Sequence, residues 1–415
     1  MFQKKAVVVA VAGALGMVAA GTALAQTTVG STEIYGRLYP EFTYLSGSGA
    51  TAALNPGQTR EQAGLSTLAR TPTGLNLEGR NSIDASNSRI GFRGTENLGG
   101  GLSAIWQIES TVPIDQGGGT IATRESFVGL KGGYGTVRLG FMDTVYKDLG
   151  DPIRFLGLAS GNHVSTSNII SSRMPFGNSS AGSFHLRQPN GLWYETPNMS
   201  GVTLLAQYSP GAAESAQAGV NSKVEFWSLG AKYRSGPWYL ALAHEIHKDF
   251  FGGSAGSPSG LSNVGVAGAH SDDKSTRASG MYNYGSGRVS LDYAWFDYSE
   301  SGGVAGRFQS FENQRWAAVW EHRWGGPWRT AVAYASSSAG SCSLFGGGGC
   351  STSGLKGDMV SLGAEYSFSK RTALFALYSR LNNGKSSSYR NAENVSPYET
   401  GMDVSQYSLG IRHDF

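Results

Sequence analysis

The chain has 415 residues, including 60 glycines and 2 cysteines, with a net charge of +3 at pH 7 and a mean hydropathy of −0.22. A net charge so close to zero gives no indication of bulk attraction to nucleic acid. The glycines, with 19 tyrosines, 18 phenylalanines and 9 tryptophans, suit many short strands with tight turns and aromatic anchors.

The N-terminus has the features of a cleaved export signal. Two lysines precede an apolar run at 6–20, and a small-x-small motif ends at Ala25. The run is shorter than the ~20 residues that span a bilayer and contains two glycines, which disfavours a permanent membrane anchor. We therefore expect residues 1–25 to be removed, which leaves 390 residues at 26–415 with a net charge of +1.

The rest of the chain consists of alternating apolar and polar segments separated by two kinds of connection. The short connections are rich in Gly, Pro or Asn and lie at 97–101, 132–135, 197–201, 235–237, 285–287, 325–327 and 369–371. The long polar ones lie at 45–83, 113–122, 144–190, 211–223, 250–273, 300–312, 338–356 and 382–402. Seven short turns and eight long loops join 16 strands, an arrangement typical of outer-membrane barrels. The sequence thus predicts an all-β fold, a transmembrane antiparallel β-barrel wide enough for an aqueous channel.

A secreted β-sandwich or β-helix would also be rich in glycine and strands. The first segment argues against it, because Ile34 and Phe42 share one face while Arg37 and Glu41 share the other. A soluble sandwich does not need strands that are apolar along one face and charged along the other. Pro40 lacks a backbone donor and predicts a bulge or an interrupted pair within this first strand.

The C-terminus predicts the strand that closes the barrel. Apolar or aromatic residues alternate with small or polar ones up to the last residue, whereas soluble proteins usually end in a frayed polar tail. We therefore interpret Tyr407, Leu409, Ile411 and Phe415 as the barrel-assembly signal.

Few residues are candidates for metal binding, redox chemistry or catalysis. Cys342 and Cys350 flank a glycine-rich stretch, and export makes a disulfide within this loop plausible. His244 and His247 are three residues apart, so on a strand they point to opposite faces and do not share a metal ion. No nucleophile elbow stands out, although a Ser–His pair in the serine-rich loops stays open as an alternative. We predict no metal site, no cofactor and no catalytic residue.

Several motifs resemble a known family when they are taken in order. They lie at 88–109, 124–130, 135–140, 369–372 and 408–415. Together they resemble the general porins of Gram-negative bacteria, in particular the beta-proteobacterial branch, over essentially the whole mature chain. The resemblance implies a homotrimer of 16-stranded barrels in the outer membrane, beside lipopolysaccharide. It also implies that the third long loop, about 144–190, folds into each lumen. One departure is that no acid closely follows Tyr35-Gly36.

Alternation assigns a set of charged residues to the lumen. The basic wall comprises Arg37, Arg89, Arg93, Arg124 and Arg138. The resemblance places the constriction loop opposite this wall, and its first part supplies Asp148 and Asp151. Because the cations outnumber the acids, we expect a mild preference for anions.

The sequence is compatible with three functions. The first is a general diffusion porin for small hydrophilic solutes and ions. The second is a solute-selective channel with an internal binding site, which aromatic residues along the lumen would favour. The third is an outer-membrane hydrolase or adhesin, which would show its activity without ion conductance. The sequence favours the first.

Overall fold

The structure, a computed structural model, describes residues 31–158, 162–177, 180–214, 223–391 and 399–415. The predicted signal peptide at 1–25 lies outside the described residues. No helix in the described part of the chain is long and apolar enough to cross a membrane.

Nineteen strands of the described residues form one antiparallel sheet. They are β1 Ser31–Leu38, β2 Glu41–Ser48, β3 Leu77–Asp84, β4 Arg89–Gly99, β5 Leu102–Thr111, β6 Ser126–Gly132, β7 Gly135–Asp143, β8 Arg187–Glu195, β9 Val202–Glu214, β10 Lys223–Ser235, β11 Trp238–Lys248, β12 His270–Asn283, β13 Gly287–Ser301, β14 Phe308–Arg323, β15 Trp328–Ser337, β16 Ser341–Leu344, β17 Gly357–Ser367, β18 Thr372–Asn383 and β19 Asp403–Asp414.

The sheet closes on itself through β19, which pairs with both β1 and β2. Leu38 lies opposite His413, and Tyr44 lies opposite Tyr407. β1 and β2 are two halves of the first barrel position, and β3 and β4 are two halves of the second. β16 is a short strand within a loop, because β15 and β17 pair directly. The strands therefore occupy 16 positions around the barrel, which confirms the predicted fold class.

Pro40 interrupts the first barrel position, as the sequence predicts. β1 ends at Leu38 and β2 begins at Glu41. Since proline cannot donate to the ladder, the backbone reorganises there: the Tyr39 amide donates to Ser88 Oγ at 2.8 Å instead. The Tyr39 ring turns inward and stacks on Phe375 with centroids 4.3 Å apart.

Large apolar side chains are exposed along the outward face of the strands. Ile34 and Leu409 are 60 % and 62 % exposed, as expected for side chains that face lipid. Aromatic pairs such as Trp238–Tyr282 lie near the short turns, and pairs such as Trp316–Tyr334 lie further along the strands. These rings match the two aromatic girdles of outer-membrane barrels.

The described residues of the connection between β7 and β8, 144–158, 162–177 and 180–186, pack against inward-facing side chains of the strands. The connection contains helices α1 Val145–Leu149 and α2 Ser167–Ile170 and 3-10 turns at Phe155–Gly157 and Ser180–Gly182. A third helix, α3 Gly252–Gly256, and a 3-10 turn at Ser259–Leu261 lie between β11 and β12, and a last 3-10 turn at Phe345–Gly347 follows β16. We call 144–186 the inner loop.

Two apolar clusters hold the inner loop against the barrel wall. Tyr146, Ile169 and Phe184 of the loop belong to one buried cluster with Phe296, Tyr298 and Phe311 of the wall. Ile153, Phe155 and Leu156 belong to a second cluster with Val319, Phe375 and Leu377. Burial of such side chains stabilises the docked loop by roughly 1.5–3 kcal/mol each relative to exposure.

Candidate pore constriction

The inner loop packs mainly on one side of the lumen, and it also reaches β1 and β2 through hydrogen bonds of Gly157 and Asn162. Its helices and first 3-10 turn contact β9, β10, β11, β14, β15 and β17. The part of the lumen that it leaves free therefore lies next to the wall formed by β1 to β8.

Two arginines, Arg89 and Arg124, gather around one carboxylate, that of Glu109, and a third, Arg37, lies close to Arg89. Arg124 bonds to one oxygen of Glu109, and Arg89 lies 3.7 Å from the other. Arg37 lies on the neighbouring position, paired with Asp414 at 2.5 Å. The three arginine side chains are between 13 % and 21 % exposed, so they remain accessible from the lumen. Arg89 Nη1 is buried and has no hydrogen-bond partner among the described residues, so this guanidinium is not fully compensated by its neighbours. We call Arg37, Arg89 and Arg124 with Glu109 the arginine cluster.

The other two predicted wall arginines, Arg138 and Arg93, have different surroundings. Arg138 lies between two lumen rings, 5.0 Å from the Phe127 centroid and 4.4 Å from that of Trp193. Arg93 lies towards the short turns, bonded twice at 2.8 Å to Glu33 and about half exposed. Four residues separate it from Arg89, which is about 13 Å along a strand.

The two predicted loop acids have different surroundings. Asp148 of α1 is exposed to the lumen, and Lys232 and Arg138 are the cations that act on it most strongly. Asp151 instead bonds to Arg277 on the far wall at 2.8 Å. Arg277 is 1 % exposed, and a buried guanidinium requires counter-charges. Asp151 therefore neutralises the far wall and does not face the arginine cluster.

Other charges line the free space. Asp143 at the end of β7 bridges Lys147 and Arg187, each at 2.9 Å. Arg154 of the inner loop is close enough to Arg89 to repel it.

Sequence reasoning missed two of the three arginines that hold the tip of the inner loop, Arg329 and Arg412, and it missed this role for the third, Arg37. Arg329 and Arg412 donate to the Leu156 carbonyl at 2.8 and 3.2 Å, and Arg37 donates to the Gly157 carbonyl at 2.7 Å. Arg329 and Arg412 also share Glu365. Their alternation marks them as inward-facing, but the sequence gives no signal that their partners are backbone carbonyls.

A buried histidine anchors the middle of the inner loop. His163 Nδ1 lies 2.8 Å from Ser379 Oγ, and its Nε2 lies 2.9 Å from Ser408 Oγ. Next to it, Asn162 donates to Glu41 at 2.9 Å. Burial lowers the pKa of His163 to about 3, so the imidazole is neutral at physiological pH.

The remaining predicted residues lie away from the constriction. Cys342 and Cys350 are joined by a disulfide in the loop after β15. Tyr407, Leu409, Ile411 and Phe415 face outward. The Phe415 carbonyl accepts from the Gly36 amide at 3.0 Å, which joins the last residue to the first barrel position.

No group of three or more His, Cys, Asp or Glu side chains with metal-binding geometry occurs among the residues that the structure describes. His244 and His247 are on opposite faces: His244 contacts Thr276 at 2.8 Å on the outside, and buried His247 contacts Glu245 at 2.8 Å on the inside.

Comparison with known proteins identifies the family and the fold. The sequence profile of the Gram-negative porins matches residues 6–386. The chain is 27 % identical over 334 residues to the major outer membrane protein P.IB of Neisseria lactamica, covering 79 % of this chain and 83 % of that protein. It is 45 % identical over 93 residues to the protein of the same name from Neisseria meningitidis, covering 25 % of that protein.

Solved structures share the fold. An anion-selective porin from Comamonas acidovorans superposes with a TM-score of 0.67 at 21 % identity, covering 93 % of this chain and 100 % of that one. The trimer form of OmpT from Vibrio cholerae superposes with a TM-score of 0.57 at 15 % identity, covering 93 % of this chain and 99 % of that one.

Proposed function

The chain belongs to the Gram-negative porin family, and we propose that this porin favours anions over cations at a constriction between the arginine cluster and the inner loop. As a porin it is an outer-membrane diffusion channel for small hydrophilic solutes and ions. The preference for anions and the residues that produce it form the proposal.

The balance of charge around the free lumen carries this proposal. The cations are Arg37, Arg89, Arg124, Arg138, Lys147, Arg154 and Arg187. The carboxylates are those of Glu109, Glu125, Asp143, Asp148 and Asp414. Seven cations against five carboxylates leave a positive excess, which lowers the energy of an anion and raises that of a cation. The porin from Comamonas acidovorans, which has the higher TM-score of the two structures quoted above, is described as anion-selective. This description agrees with the proposal.

We further propose that the inner loop is the element that narrows the pore. Its apolar side packs on the wall, and its charged residues Lys147, Asp148 and Arg154 are on the side of the arginine cluster. The resulting cross-section has charged groups on both sides, so polar solutes are favoured over apolar ones.

We also propose a homotrimer in a lipid environment that includes lipopolysaccharide. One outer membrane protein of the same fold is described in a trimer form, and the apolar outer face of this barrel suits both lipid and subunit contacts. Membership of a channel family favours transport over catalysis, and we propose no catalytic residue and no cofactor.

Neutralising two arginines tests the proposal. In a KCl gradient across a planar bilayer, Arg89→Gln/Arg124→Gln should move the reversal potential towards that of potassium, because Glu109 then keeps its charge without its partners. Arg93→Gln removes the same charge from the short-turn end and is the matched control, with a much smaller expected shift. A reversal potential that is equal in wild type and in the double variant would contradict the assignment.

The alternative of a solute-selective channel has one observation in its favour. Phe127 and Trp193 are lumen-side aromatic residues, and Arg138 stacks between them. Saturable block of the conductance by a solute would establish this function.

A further inference from the structure

A cavity of about 530 Å³ lies at the short-turn end of the barrel, below Arg138. Residues from β6 to β10 and from the turns between them line it. In outer-membrane barrels the short turns face the periplasm, so we call this space the periplasmic mouth cavity.

Strand register shows that the cavity opens to the lumen and not to lipid. Thr136 precedes Arg138 by two residues on β7, so both side chains lie on the same face. Thr136 pairs with Lys131 on one side and with Glu195 on the other. Thr203 pairs with Lys232 in the same way on β9 and β10. Because partners across an antiparallel pair share a face, all these side chains point inward.

The charges of the cavity are unequal. Its lining has three cations, Lys131, Lys232 and Arg234, and one carboxylate, that of Glu195. Lys232 is paired with Glu195 at 2.9 Å. Among the residues that the structure describes, Lys131 and Arg234 have no ion-pair partner, and Arg234 stacks on the Tyr239 ring at 4.4 Å. Asp148 faces Lys232 from the inner loop. Counting Arg138 and Asp148, the region retains a positive excess.

We propose that the periplasmic mouth cavity binds small multivalent oxyanions, that is, solutes with two or more carboxylate or phosphate groups. The inference rests on the proposed channel function and adds a second site to it, on the periplasmic side of the constriction. Two unpaired cations on opposite sides of one cavity favour two anionic groups on one solute, because each cation then gains a partner. The Thr136 and Thr203 hydroxyls add donors for the same oxygens.

The site would concentrate such solutes at the inner mouth of the pore. A monovalent anion gains one contact there, whereas a di- or tricarboxylate gains two. We therefore expect discrimination by valence at the mouth, separate from the general anion preference at the constriction.

Block of chloride current by citrate tests the inference. Citrate is added to one side of a bilayer that contains purified trimer, and the concentration for half-block is measured for each side, with acetate as the monovalent control. Block should be stronger from the periplasmic side and weakly voltage-dependent, because a charge at the mouth crosses little of the membrane potential. Acetate should block far less.

Two variants with opposite expected effects separate binding from general damage. Lys131→Gln/Arg234→Gln should raise the half-block concentration roughly tenfold, as expected for the loss of two exposed ion contacts. Glu195→Gln removes the ion-pair partner of Lys232 and should lower the half-block concentration of citrate. Arg93→Gln, which removes a charge at the same end of the barrel but outside the lining of this cavity, is the matched control and should behave as wild type.

The outcomes distinguish this inference from the channel function. Conductance without citrate block, or block that both cavity variants leave unchanged, would overturn the mouth site and leave the channel intact. Block that is equal from both sides, steeply voltage-dependent and lost in Arg89→Gln/Arg124→Gln would also overturn it, because binding would then be at the constriction. Absence of any conductance would contradict the channel function itself.

Discussion

Glu109 sets the charge of the arginine cluster because it is the carboxylate that Arg89 and Arg124 share. The Tyr35 hydroxyl also donates to it at 3.1 Å. Each guanidinium is thereby partly compensated, so the field that an ion meets is weaker than the number of arginines suggests.

Glu109→Gln should therefore increase the preference for anions. The amide keeps an acceptor oxygen for Arg124 and can donate its NH2 to the Tyr35 hydroxyl, which accepts as well as donates, but the negative charge is removed. In a KCl gradient the reversal potential should move further towards that of chloride. A shift towards potassium would mean that Glu109 does not act on permeating ions.

Single residues also show what the sequence could predict about the site. A period of two assigned Arg37, Arg89 and Arg138 to the lumen, because strand parity depends only on local pattern. Strand parity does not give the position of a residue along the pore axis. Arg89 and Arg93 have the same parity, yet only Arg89 belongs to the arginine cluster. The partner of Asp151 is Arg277, 126 residues away, and no local pattern reports such a contact.

The inner loop is the element whose position determines the free lumen. Its resemblance to porin loops predicted that it enters the barrel. In the structure its docking depends on His163, which is buried between β18 and β19. The neighbouring residue Asn162 donates to Glu41 of β2 and so ties the same part of the loop to the wall. The path of the loop could not be read from sequence, because it follows from shape complementarity with several strands of the far wall.

Acid should loosen the inner loop. The pKa of docked His163 is about 3, against an ordinary value of 6.5, so the undocked loop binds a proton that the docked loop excludes. Docking is fully favoured above pH 6.5 and loses about 1.4 kcal/mol per pH unit below it, until the docked pKa is reached. Transient current interruptions should therefore become more frequent at pH 5 than at pH 7.

His163→Gln should reduce this acid response, because the amide does not titrate. Part of the response should persist, since the pKa of buried His185 in the same loop is also lowered by burial. His244→Gln on the outer face is the matched control and should respond to acid as wild type does. An unchanged response in His163→Gln would contradict the role of this anchor.

At the scale of the whole molecule, barrel closure depends on the contact between the first and last strands. Gly36 lies where an added Cβ would be 2.3 Å from the Phe415 ring and 2.8 Å from the Arg89 carbonyl. The ring can turn, but the backbone carbonyl belongs to the ladder between β1 and β4. The sequence predicted the closing strand from its alternation, whereas this close approach is visible only in three dimensions.

Gly36→Ala should therefore reduce the free energy of unfolding of the barrel by about 1–3 kcal/mol, as is typical of overpacking. The temperature at which the barrel unfolds should fall accordingly. The temperature-dependent shift in gel mobility of the folded barrel measures it. Gly280→Ala is the control, because a Cβ there would meet its nearest neighbour at 3.6 Å, an ordinary contact. Equal stability of the two variants would contradict the proposed tightness of closure.

The central claim is that this porin is a water-filled channel whose narrowest part carries excess positive charge. The most direct test is the reversal potential of single wild-type channels in a planar bilayer under a KCl gradient. We expect stepwise conductance, in groups of three for a trimer, with a reversal potential on the chloride side of zero. A reversal potential on the potassium side would contradict the claim about charge, and folded protein without conductance would contradict the claim of an open channel.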